Sequence, residues 1–492
     1  MTGVFADEIL VGGRWRPGSG ALIESRSPAT GEVLARLHGA DPSDVDEAVR
    51  AGAAAAADPG WRDLPPHERA RYLVRIADLI AERADELAAL QTADTGKSIN
   101  ETRALVASAQ GTFRYVAAAL ETMEDALTPP RGPYLTMSVH EPIGVVGAIT
   151  PWNSPIASDA QKIAPALAAG NAVVLKPAEW TSLVSLALGR LIGDAGLPPG
   201  LLSVLPGPGR TVGDAIVRHP GVGKVSFTGG TATGRGIGAA AAEKIMPVSL
   251  ELGGKSPTIV FPDADREQAI AGLLFGIFSS SGQSCIAGSR VFVHASVYDE
   301  VLDELVARTE KLRVGPGTDP ATQVAPMVAH AHRDKVAAMV ERAVAAGARL
   351  RCGGRIPEGD PYEKGAYYLP TILDGVPNDA AICQEEIFGP VLVALPFEDE
   401  ADLVVQANAS VYGLACGIWT GDYRRAWRVA RRIDAGTVWI NTYKQFSIST
   451  PFGGFKESGL GREKGRDGIR GYMRQKSLYW GLDESPLPWA NA

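Results

Sequence analysis

The sequence predicts an α/β protein with two doubly wound domains and a small β appendage. Its 492 residues exceed what one hydrophobic core normally holds, so two or three domains are expected. From about residue 142 onward, short apolar strands alternate with single helices. This alternation is typical of parallel sheets that carry helices on both faces.

Turns and helices dominate the first part of the chain. Residues 8–40 read as short strands around turns. Ser43 followed by Asp46 resembles a capping box, and Pro65-Pro66 marks a second helix start. Apolar residues then recur at helical spacing. The predicted helices span 43–57, 67–94 and 98–121.

The next segment alternates strictly between apolar strands and helices. The strands should pair in parallel, with right-handed connections. The predicted strands are 145–150, 172–176, 201–205, 224–228 and 246–252. The predicted helices are one ending at residue 168, then 181–195, 211–218 and 231–245.

A second alternating region follows Gly253-Gly254 and predicts a second α/β domain. Its strands are expected at 258–261, 290–294, 391–397, 414–420 and 437–441, with helices such as 297–312 and 327–346 between them. Two further strands, 134–141 and 474–480, lie outside both regions and could pair as an appendage.

Charge and cysteine content narrow the function classes. The net charge of −8, with both signs interspersed, argues against a nucleic-acid or polybasic membrane role. The four cysteines form no CxxC pair, which points to a reducing compartment. The histidines form no HExxH pattern, so no protein-built metal site is expected. No apolar run could span a bilayer and no signal peptide is visible, so we expect the cytoplasm.

The stretch GQSCIAGSR at 282–290 is the centre of the functional interpretation. Small and polar residues surround Cys285, which would leave its thiol uncovered. Cysteine is a strong nucleophile when its environment lowers the thiol pKa. The alternative is a small buried apolar residue, the commoner role for a lone cysteine. This stretch alone leaves both interpretations open.

The carboxyl ends of the first strands predict a nucleotide site. Ligands of open parallel sheets bind beyond these ends. Phe227-Thr228-Gly229-Gly230 precedes a helix, and a glycine-rich helix start can bind a pyrophosphate. The fingerprint GxGxxG is absent, since GRGIG at 234–238 lies inside the predicted helix. An ordinary glycine-rich turn is the alternative.

Glu179 follows the second of these strands. Its carboxylate could accept hydrogen bonds from both ribose hydroxyls and would repel a 2′-phosphate. Lys176 could reach the same ribose or a phosphate. A solvated charge pair at a strand end is the alternative interpretation.

Two acidic stretches complete a set of ordered motifs. ELGGK begins at Glu251, and EEIFGP spans 385–390. Together with PWN at 151–153, FTGG at 227–230 and GQSC, they resemble the NAD(P)-dependent aldehyde dehydrogenase superfamily. The resemblance extends over essentially the whole chain, to PFGGFKESGLGRE at 451–463. It implies a Rossmann-like NAD-binding domain (1–123 and 143–253), a catalytic domain (254–457) and an oligomerisation arm (124–142 and 470–492).

The resemblance also implies a mechanism. Cys285 as thiolate attacks the aldehyde carbon, while the Asn153 amide and the Cys285 N–H hold the oxyanion. Hydride leaves for the nicotinamide, and Glu251 then activates the water that hydrolyses the thioester. Lys162 and Glu463 match positions that relay the released proton.

The implied cofactor is NAD, with NADP less favoured. Glu386 and Phe388 match positions that hold the nicotinamide ribose and ring edge. The other implied cofactor positions are Thr150, Pro151, Trp152, Lys176, Glu179, Gly209, Phe227, Gly230 and Leu252.

The appendage strands match the family's antiparallel arm. Exposed strand edges need a partner, so a homodimer or homotetramer is expected. No nucleic acid or membrane partner is implied.

The substrate is the least determined feature. Tunnel positions implied by the resemblance are Ser154, Ser158, Gln161, Ser279, Ser284, Ile286, Lys444, Phe446 and Phe452. Four serines and a glutamine make this wall polar, and Lys444 could attract a carboxylate, which favours polar aldehydes or semialdehydes. A solvated lysine at the tunnel rim is the alternative.

Two other functions are alternatives to this one. In a CoA-acylating dehydrogenase, CoA instead of water resolves the thioester, but such relatives generally lack the carboxylate at Glu251. A catalytically inactive binding homologue would have lost its nucleophile, whereas Cys285, Asn153 and Glu251 are all present.

Overall fold

The computed structural model describes residues 7–485 and residue 489. Residues 1–6 of the predicted first domain, and 486–488 and 490–492 of the predicted arm, lie outside this range. No helix among the described residues is both long and apolar enough to cross a membrane.

The described chain contains strands that are mostly short. In chain order they are β1 (Ile9–Val11), β2 (Arg14–Arg16), β3 (Leu22–Arg26), β4 (Val33–His38), β5 (Ala126–Thr128), β6 (Tyr134–Pro142), β7 (Val145–Ile149), β8 (Ala172–Lys176), β9 (Leu202–Val204), β10 (Lys224–Thr228), β11 (Val248–Glu251), β12 (Pro257–Val260), β13 (Arg290–His294), β14 (Arg349–Cys352), β15 (Thr371–Asp374), β16 (Val391–Phe397), β17 (Tyr412–Gly413), β18 (Ala415–Trp419), β19 (Thr437–Ile440), β20 (Phe455–Lys456), β21 (Gly459–Leu460) and β22 (Met473–Gly481).

The α-helices cover these strands. They are α1 (Pro42–Ala57), α2 (Pro59–Arg62), α3 (Pro66–Glu82), α4 (Ala84–Thr95), α5 (Ile99–Leu120), α6 (Pro155–Ala168), α7 (Leu183–Asp194), α8 (Asp214–Arg218), α9 (Thr231–Glu243), α10 (Arg266–Phe278), α11 (Tyr298–Thr309), α12 (His330–Ala345), α13 (Ala381–Gln384), α14 (Glu400–Asn408), α15 (Tyr423–Ala430) and α16 (Gly465–Arg470).

The first sheet has eight strands in the order β2-β1-β9-β8-β7-β10-β11-β21. Its five central strands pair in parallel, and the outer pairs are antiparallel. The chain moves from β7 to β8 and β9 on one side, and returns to β10 and β11 on the other. The switch point therefore lies between β7 and β10, where ligands of doubly wound sheets bind.

The second sheet has seven strands in the order β14-β15-β16-β13-β12-β18-β19. All its pairs are parallel except β14 with β15. Neighbouring residues of a strand belong to different apolar clusters, as Ile259 and Val260 of β12 do. Because successive strand residues point to opposite faces, this sheet is buried on both sides. The predicted fold class of two doubly wound α/β domains is confirmed.

A third sheet forms the appendage. β6 pairs antiparallel with β22 along its whole length, from Tyr134 opposite Gly481 to Pro142 opposite Met473, and β5 pairs with its other edge. The predicted pairing of 134–141 with 474–480 is therefore present. The exact domain boundaries stay a prediction.

Two helix predictions were wrong in detail. The cap of α1 is Asp41, whose side chain accepts from the amides of Ser43 and Asp44, while Asp44 accepts from the amide of Asp41. The pair Ser43 and Asp46 is therefore not the cap, because Pro42 occupies the first helical position and the preceding residue is extended. The predicted helix 67–94 is interrupted at Arg83, whose φ of −110° ends α3 before α4 begins.

Candidate active site

The Cys285 loop is held in place by a tight left-handed bend. Ser280, Ser281 and Gly282 all have positive φ, at 58°, 54° and 69°. A Cβ on Gly282 would lie 2.0 Å from the carbonyl oxygen of Gly389, so a side chain is excluded there. The glycine of GQSC therefore lets this loop pack against the EIFGP motif.

The turn after β11 brings Glu251 and Glu386 to the same loop. A Cβ on Gly254 would lie 2.4 Å from the carbonyl oxygen of Cys285, and one on Gly253 would lie 2.4 Å from Oε2 of Glu386. The amide of Gly254 donates to Oε1 of Glu386 at 3.0 Å. The two glycines are thus required for three sequence motifs to meet.

The thiol of Cys285 is more enclosed than its small neighbours suggest. The residue is half-buried and forms no disulfide. Burial raises the pKa of the Cys285 thiol to about 12, and the carboxylates of Glu386 and Glu251 raise this pKa further. The expectation of an uncovered thiol is therefore wrong, because distant segments close around the loop.

Asn153 lies beside the Cys285 loop. Its side-chain amide Nδ2 donates to the carbonyl oxygen of Gln283 at 2.9 Å. Gln283 in turn holds the loop, since its Oε1 accepts from the amide of Val328 at 2.9 Å. The Asn153 amide is therefore bonded to the residue two positions before Cys285 in the loop.

Glu251 is 4% exposed, and both of its carboxylate oxygens are buried without a hydrogen-bond partner. Burial and the nearby charge of Glu463 raise its pKa well above the usual range of a glutamate. A buried carboxyl group with free lone pairs can accept a hydrogen bond from water, so its environment suits a general base with a raised pKa.

Lys162 and Glu463 form a buried ion pair, although they are far apart in sequence. The ammonium of Lys162 also donates to Oγ of Ser226 at 3.0 Å. Charges in such a setting persist only when they are paired. The pair joins α6 to the segment that precedes α16.

A cavity of about 720 Å³ lies beyond the carboxyl ends of β7, β8 and β10. It is lined by most of the predicted cofactor residues, namely Thr150, Pro151, Trp152, Lys176, Glu179, Gly209, Phe227 and Gly230. Phe388 packs edge to face against Trp152, a residue of the cavity wall, with ring centroids 5.1 Å apart. Glu386 and Leu252 lie outside its lining, Glu386 against the Gly253-Gly254 turn and Leu252 buried next to Gly234.

The residues of this cavity fit a dinucleotide. A Cβ on Gly209 or Gly230 would meet nothing within 4 Å, so both glycines open directly into the cavity. Gly230 caps the start of α9, where backbone dipoles favour a phosphate. Oε2 of Glu179 accepts from the amide of Gly209 at 3.3 Å, which holds its carboxylate at the cavity. Burial lowers the pKa of Lys176 to about 8.

Sequence reasoning missed several lining residues of the same cavity. Trp180 directly follows Glu179, and its ring is tilted by 48° against that of Trp152, with centroids 6.1 Å apart. Arg210 and Arg218 add positive charge to the wall. The positions of Trp180 next to Glu179 and of Arg210 next to Gly209 were the available signals, and Arg218 had none.

The predicted tunnel residues divide into small groups. Oγ of Ser154 lies 3.0 Å from Oγ of Ser158, and the rings of Phe446 and Phe452 are edge to face with centroids 5.4 Å apart. Ile286 is buried, and its carbonyl accepts from the Tyr443 hydroxyl at 2.9 Å. Ser284 is half-buried beside the thiol, and Gln161 lies with Lys464 on a small cleft between α5 and α6.

Lys444 is not a solvated rim residue. Its ammonium donates to Oγ of Ser279 at 2.7 Å. Burial lowers its pKa to about 7, while the charge of Glu101 opposes this shift. The alternative interpretation of a solvated lysine is therefore wrong.

Lys464 is a second lysine at the site, and sequence reasoning missed it. Its Nζ lies 3.9 Å from the ring centroid of Phe446 and 5.3 Å from that of Phe452. Burial lowers its pKa to about 8, against the opposing charges of Glu463, Cys285 and Glu251. Its only sequence signal was its place directly after Glu463.

Groups of three or more metal-ligating side chains are absent from the described residues.

Comparison with known proteins places these features in context. The sequence model of one family, described as the aldehyde dehydrogenase family, matches residues 15–478. The chain is 44% identical over 473 residues to a betaine aldehyde dehydrogenase of Rhizobium etli, covering 96% of each chain. It is 43% identical over 480 residues to a phenylacetaldehyde dehydrogenase of Pseudomonas fluorescens, covering 96% of this chain and 95% of that one. A solved NAD+ complex of an aldehyde dehydrogenase from Bacillus cereus superposes with a TM-score of 0.94 at 39% identity, covering 97% of this chain and 96% of that one.

Proposed function

The chain belongs to the aldehyde dehydrogenase family, and we propose that it uses NAD to oxidise an aldehyde to a carboxylic acid through a thioester on Cys285. One observation carries this proposal. The Gly253-Gly254 turn brings Cys285, Glu251 and Glu386 together.

Cys285 would attack the aldehyde carbon and form a thiohemiacetal. Its raised pKa of about 12 means that the resting thiol carries its proton at neutral pH. The S–C bond therefore forms as the S–H bond breaks, so removal of the thiol proton is part of the first chemical step.

Asn153 and the amide of Cys285 would donate to the oxyanion of this intermediate. The Asn153 amide already lies at the loop, where it donates to Gln283. Removing one such donor typically lowers the rate by about 10²–10³.

Glu251 would act as general base in hydrolysis. Water's oxygen bonds to the thioester carbon, the C–S bond breaks, and the sulfur leaves as the thiol once it regains a proton. The two unpartnered oxygens of Glu251 can accept from that water. Lys162 and Glu463 would carry the released proton, because the charge of Glu463 acts on Glu251 and the Glu463 carboxylate is bonded to Lys162 and Ser226.

The cavity residues would hold the cofactor. When bound, NAD supplies the hydride acceptor that oxidises the thiohemiacetal to the thioester. Glu179 would accept from the ribose hydroxyls and disfavour the 2′-phosphate of NADP, while Lys176 would contact the same ribose or a phosphate. Glu386 and Phe388 would hold the nicotinamide end, since Glu386 accepts from the amide of Gly254 on the turn that touches Cys285. The NAD+ in the Bacillus cereus relative supports this assignment.

The substrate would be a polar aldehyde or a semialdehyde. The serines at 154, 158, 279 and 284 supply hydroxyl groups to the predicted tunnel, and Phe446 and Phe452 add an apolar clamp. The relatives are named for different aldehydes, so family membership alone leaves the substrate open.

An oligomer formed through the appendage is the expected assembly, as a dimer or tetramer. Leu127, Tyr479 and Trp480 of this sheet are 68%, 72% and 65% exposed, which leaves apolar surface for a partner. A cytoplasmic location stays a prediction, supported by the four free cysteines.

NADH production with a panel of aldehydes, with and without CoA, tests the proposal. The wild type should reduce NAD without CoA, and Cys285→Ala should abolish turnover while it still binds NAD. Activity that depends on CoA would favour the acylating reaction. Absence of activity with every aldehyde would favour an inactive homologue, and turnover by Cys285→Ala would exclude the proposed nucleophile.

A further inference from the structure

We propose that Lys464 selects substrates by charge, so that the site favours aldehydes with a carboxylate tail and rejects aldehydes with a cationic tail. This inference rests on the proposed function and names the substrate class for the same site. The residue lies at the aromatic clamp of Phe446 and Phe452.

Nζ of Lys464 has no direct polar partner in the described part of the chain. It makes no hydrogen bond and no ion pair among residues 7–485 and 489, and it lies over the faces of Phe446 and Phe452. The charges of Glu463, Cys285 and Glu251 favour its ammonium form, although the Glu463 carboxylate itself pairs with Lys162 and Ser226. A half-buried positive charge is thus directed at the clamp without a protein acceptor.

Lys444 differs from Lys464 in this respect. Its Nζ is bonded to Ser279, and Glu101 stands close enough to oppose the effect of burial on its charge. Glu101 itself accepts from the amide and hydroxyl of Ser280, which keeps its carboxylate at this place. Acidic groups oppose the pKa shifts of both lysines, but Nζ of Lys444 is bonded to Ser279, whereas Nζ of Lys464 has no hydrogen-bond partner among the described residues. Lys464 is therefore the better anchor for a substrate anion.

The backbone keeps Lys464 at the clamp. Its φ of 61° is a left-handed conformation that non-glycine residues rarely adopt. The two amides of Phe452 and Glu463 donate to each other's carbonyl oxygens, both at 2.8 Å, which pins the strand before Lys464 against Phe452. Strained conformations of this kind persist where the surrounding structure enforces them and occur often at functional sites.

Two consequences for substrates follow from this geometry. The ammonium offers three donors to a carboxylate, and charge-assisted hydrogen bonds of this kind are strong. Proteins recognise quaternary ammonium groups on aromatic faces, but here Lys464 already occupies the faces of Phe446 and Phe452. A trimethylammonium aldehyde such as betaine aldehyde would find the faces of Phe446 and Phe452 already occupied by Lys464. The positive charge of Lys464 would also repel it.

The test compares three aldehydes of equal length whose tails are a carboxylate, an amide and a trimethylammonium group. In the wild type, kcat/KM for the acid should exceed that for the amide by about tenfold to a hundredfold, the effect of a charged hydrogen bond. The cationic aldehyde should be the poorest of the three. Lys464→Met should bring the acid and amide values together, mainly through KM for the acid, and should improve the cationic aldehyde relative to the amide.

Two variants and a pH series separate this role from a structural one. Lys464→Arg should keep the preference for the acid, and Lys444→Met should keep most of it. Because the Lys464 pKa is about 8, the wild-type ratio of acid to amide should fall as pH rises through that value, since the ammonium then loses its proton. A wild type without preference, a Lys464→Met that retains it, or a Lys444→Met that alone removes it would overturn the inference.

A binding measurement covers the case in which turnover is absent. The dicarboxylate product should protect Cys285 from alkylation by iodoacetamide at lower concentration than its monoamide does, in the wild type but not in Lys464→Met. Equal protection by both compounds in the wild type contradicts the inference. Loss of oxidation for every tail, with the difference in protection retained, would instead refute the proposed function alone.

Discussion

Burial displaces the pKa values of the groups around the Cys285 sulfur in opposite directions. Burial raises the pKa of the thiol to about 12 and also raises the pKa of Glu251. It lowers the pKa of Lys444 to about 7 and that of Lys464 to about 8. Each shift favours the neutral form of its group. Near neutral pH the pocket thus carries less charge than its composition suggests.

Glu251→Gln should separate acylation from hydrolysis. Glutamine keeps the shape of the side chain but cannot accept the proton of water, so the thioester should form and then persist. A burst of NADH stoichiometric with enzyme should precede a steady rate lowered by about 10²–10⁴. Stopped-flow absorbance measures both phases.

The pH dependence of the wild type provides a second test of Glu251. Its raised pKa keeps the carboxyl protonated at low pH, and only the carboxylate can act as base. The rate of thioester hydrolysis should therefore increase with pH. A burst that is lost in Glu251→Gln would show that this residue also removes the proton of Cys285.

Glu179 should determine the choice between NAD and NADP. The wild type should use NAD with the higher kcat/KM, and Glu179→Gln should reduce that advantage by about fivefold, the effect of roughly 1 kcal/mol of charge repulsion. Arg210 lines the same cavity and is exposed, so its positive charge could attract the 2′-phosphate of NADP. Arg210→Gln is therefore the control, and it should increase kcat/KM with NAD relative to that with NADP. A wild type that prefers NADP contradicts the assignment.

The sequence predicts some of these residues better than others. Cys285, Glu251 and Glu179 are flanked by motifs whose glycines and strand ends are visible in the chain. Lys464 has no such signal, because its place depends on a left-handed residue and on the pairing of Glu463 with Phe452.

Among the elements, the turn between β11 and β12 has no room for a side chain at Gly253 or Gly254. Gly254→Ala would place a methyl group 2.4 Å from the Cys285 carbonyl oxygen, so the thiol loop must move. A displacement of about 1 Å typically costs about 10² in rate, and we expect kcat/KM to fall at least that far.

Gly193→Ala is the matched control for this variant. Gly193 lies exposed in α7, and a Cβ there would meet nothing within 4 Å. It should leave kcat/KM unchanged and stabilise the helix by up to about 1 kcal/mol. Thermal unfolding and steady-state kinetics of both proteins measure the difference. Full activity in Gly254→Ala would show that the loop tolerates the shift.

Elements buried on both faces were the most predictable. β8 and β10 have the predicted bounds, because continuous apolar runs between turns leave little choice. β14 was missed, since its sequence RLRC is mostly exposed at a sheet edge and has no apolar periodicity. The start of α1 was misplaced because several acidic residues compete there and only the position of Pro42 decides.

For the whole molecule, the appendage is the part that needs a partner most. β22 forms one edge of its three-stranded sheet, and no described part of the chain covers its exposed aromatic residues. Trp480→Glu should therefore reduce the molecular mass in solution, because a buried charge at an interface is costly. Trp427→Glu, at a residue that is 64% exposed on α15, is the control and should leave the mass unchanged. Light scattering distinguishes the two, and an unchanged mass for both would place the interface elsewhere.

The ribosome synthesises the short strand β21 after Glu251 and Cys285. Its residue Gly459 pairs with Glu251, and Ser458 just before it donates to the carbonyl of Gly253 and accepts from the amide of Gly413. The nascent polypeptide therefore holds Cys285 and Glu251 before the segment that pairs with Glu251 emerges. Fragments that end before residue 458 lack this pairing, and we expect them not to oxidise aldehydes.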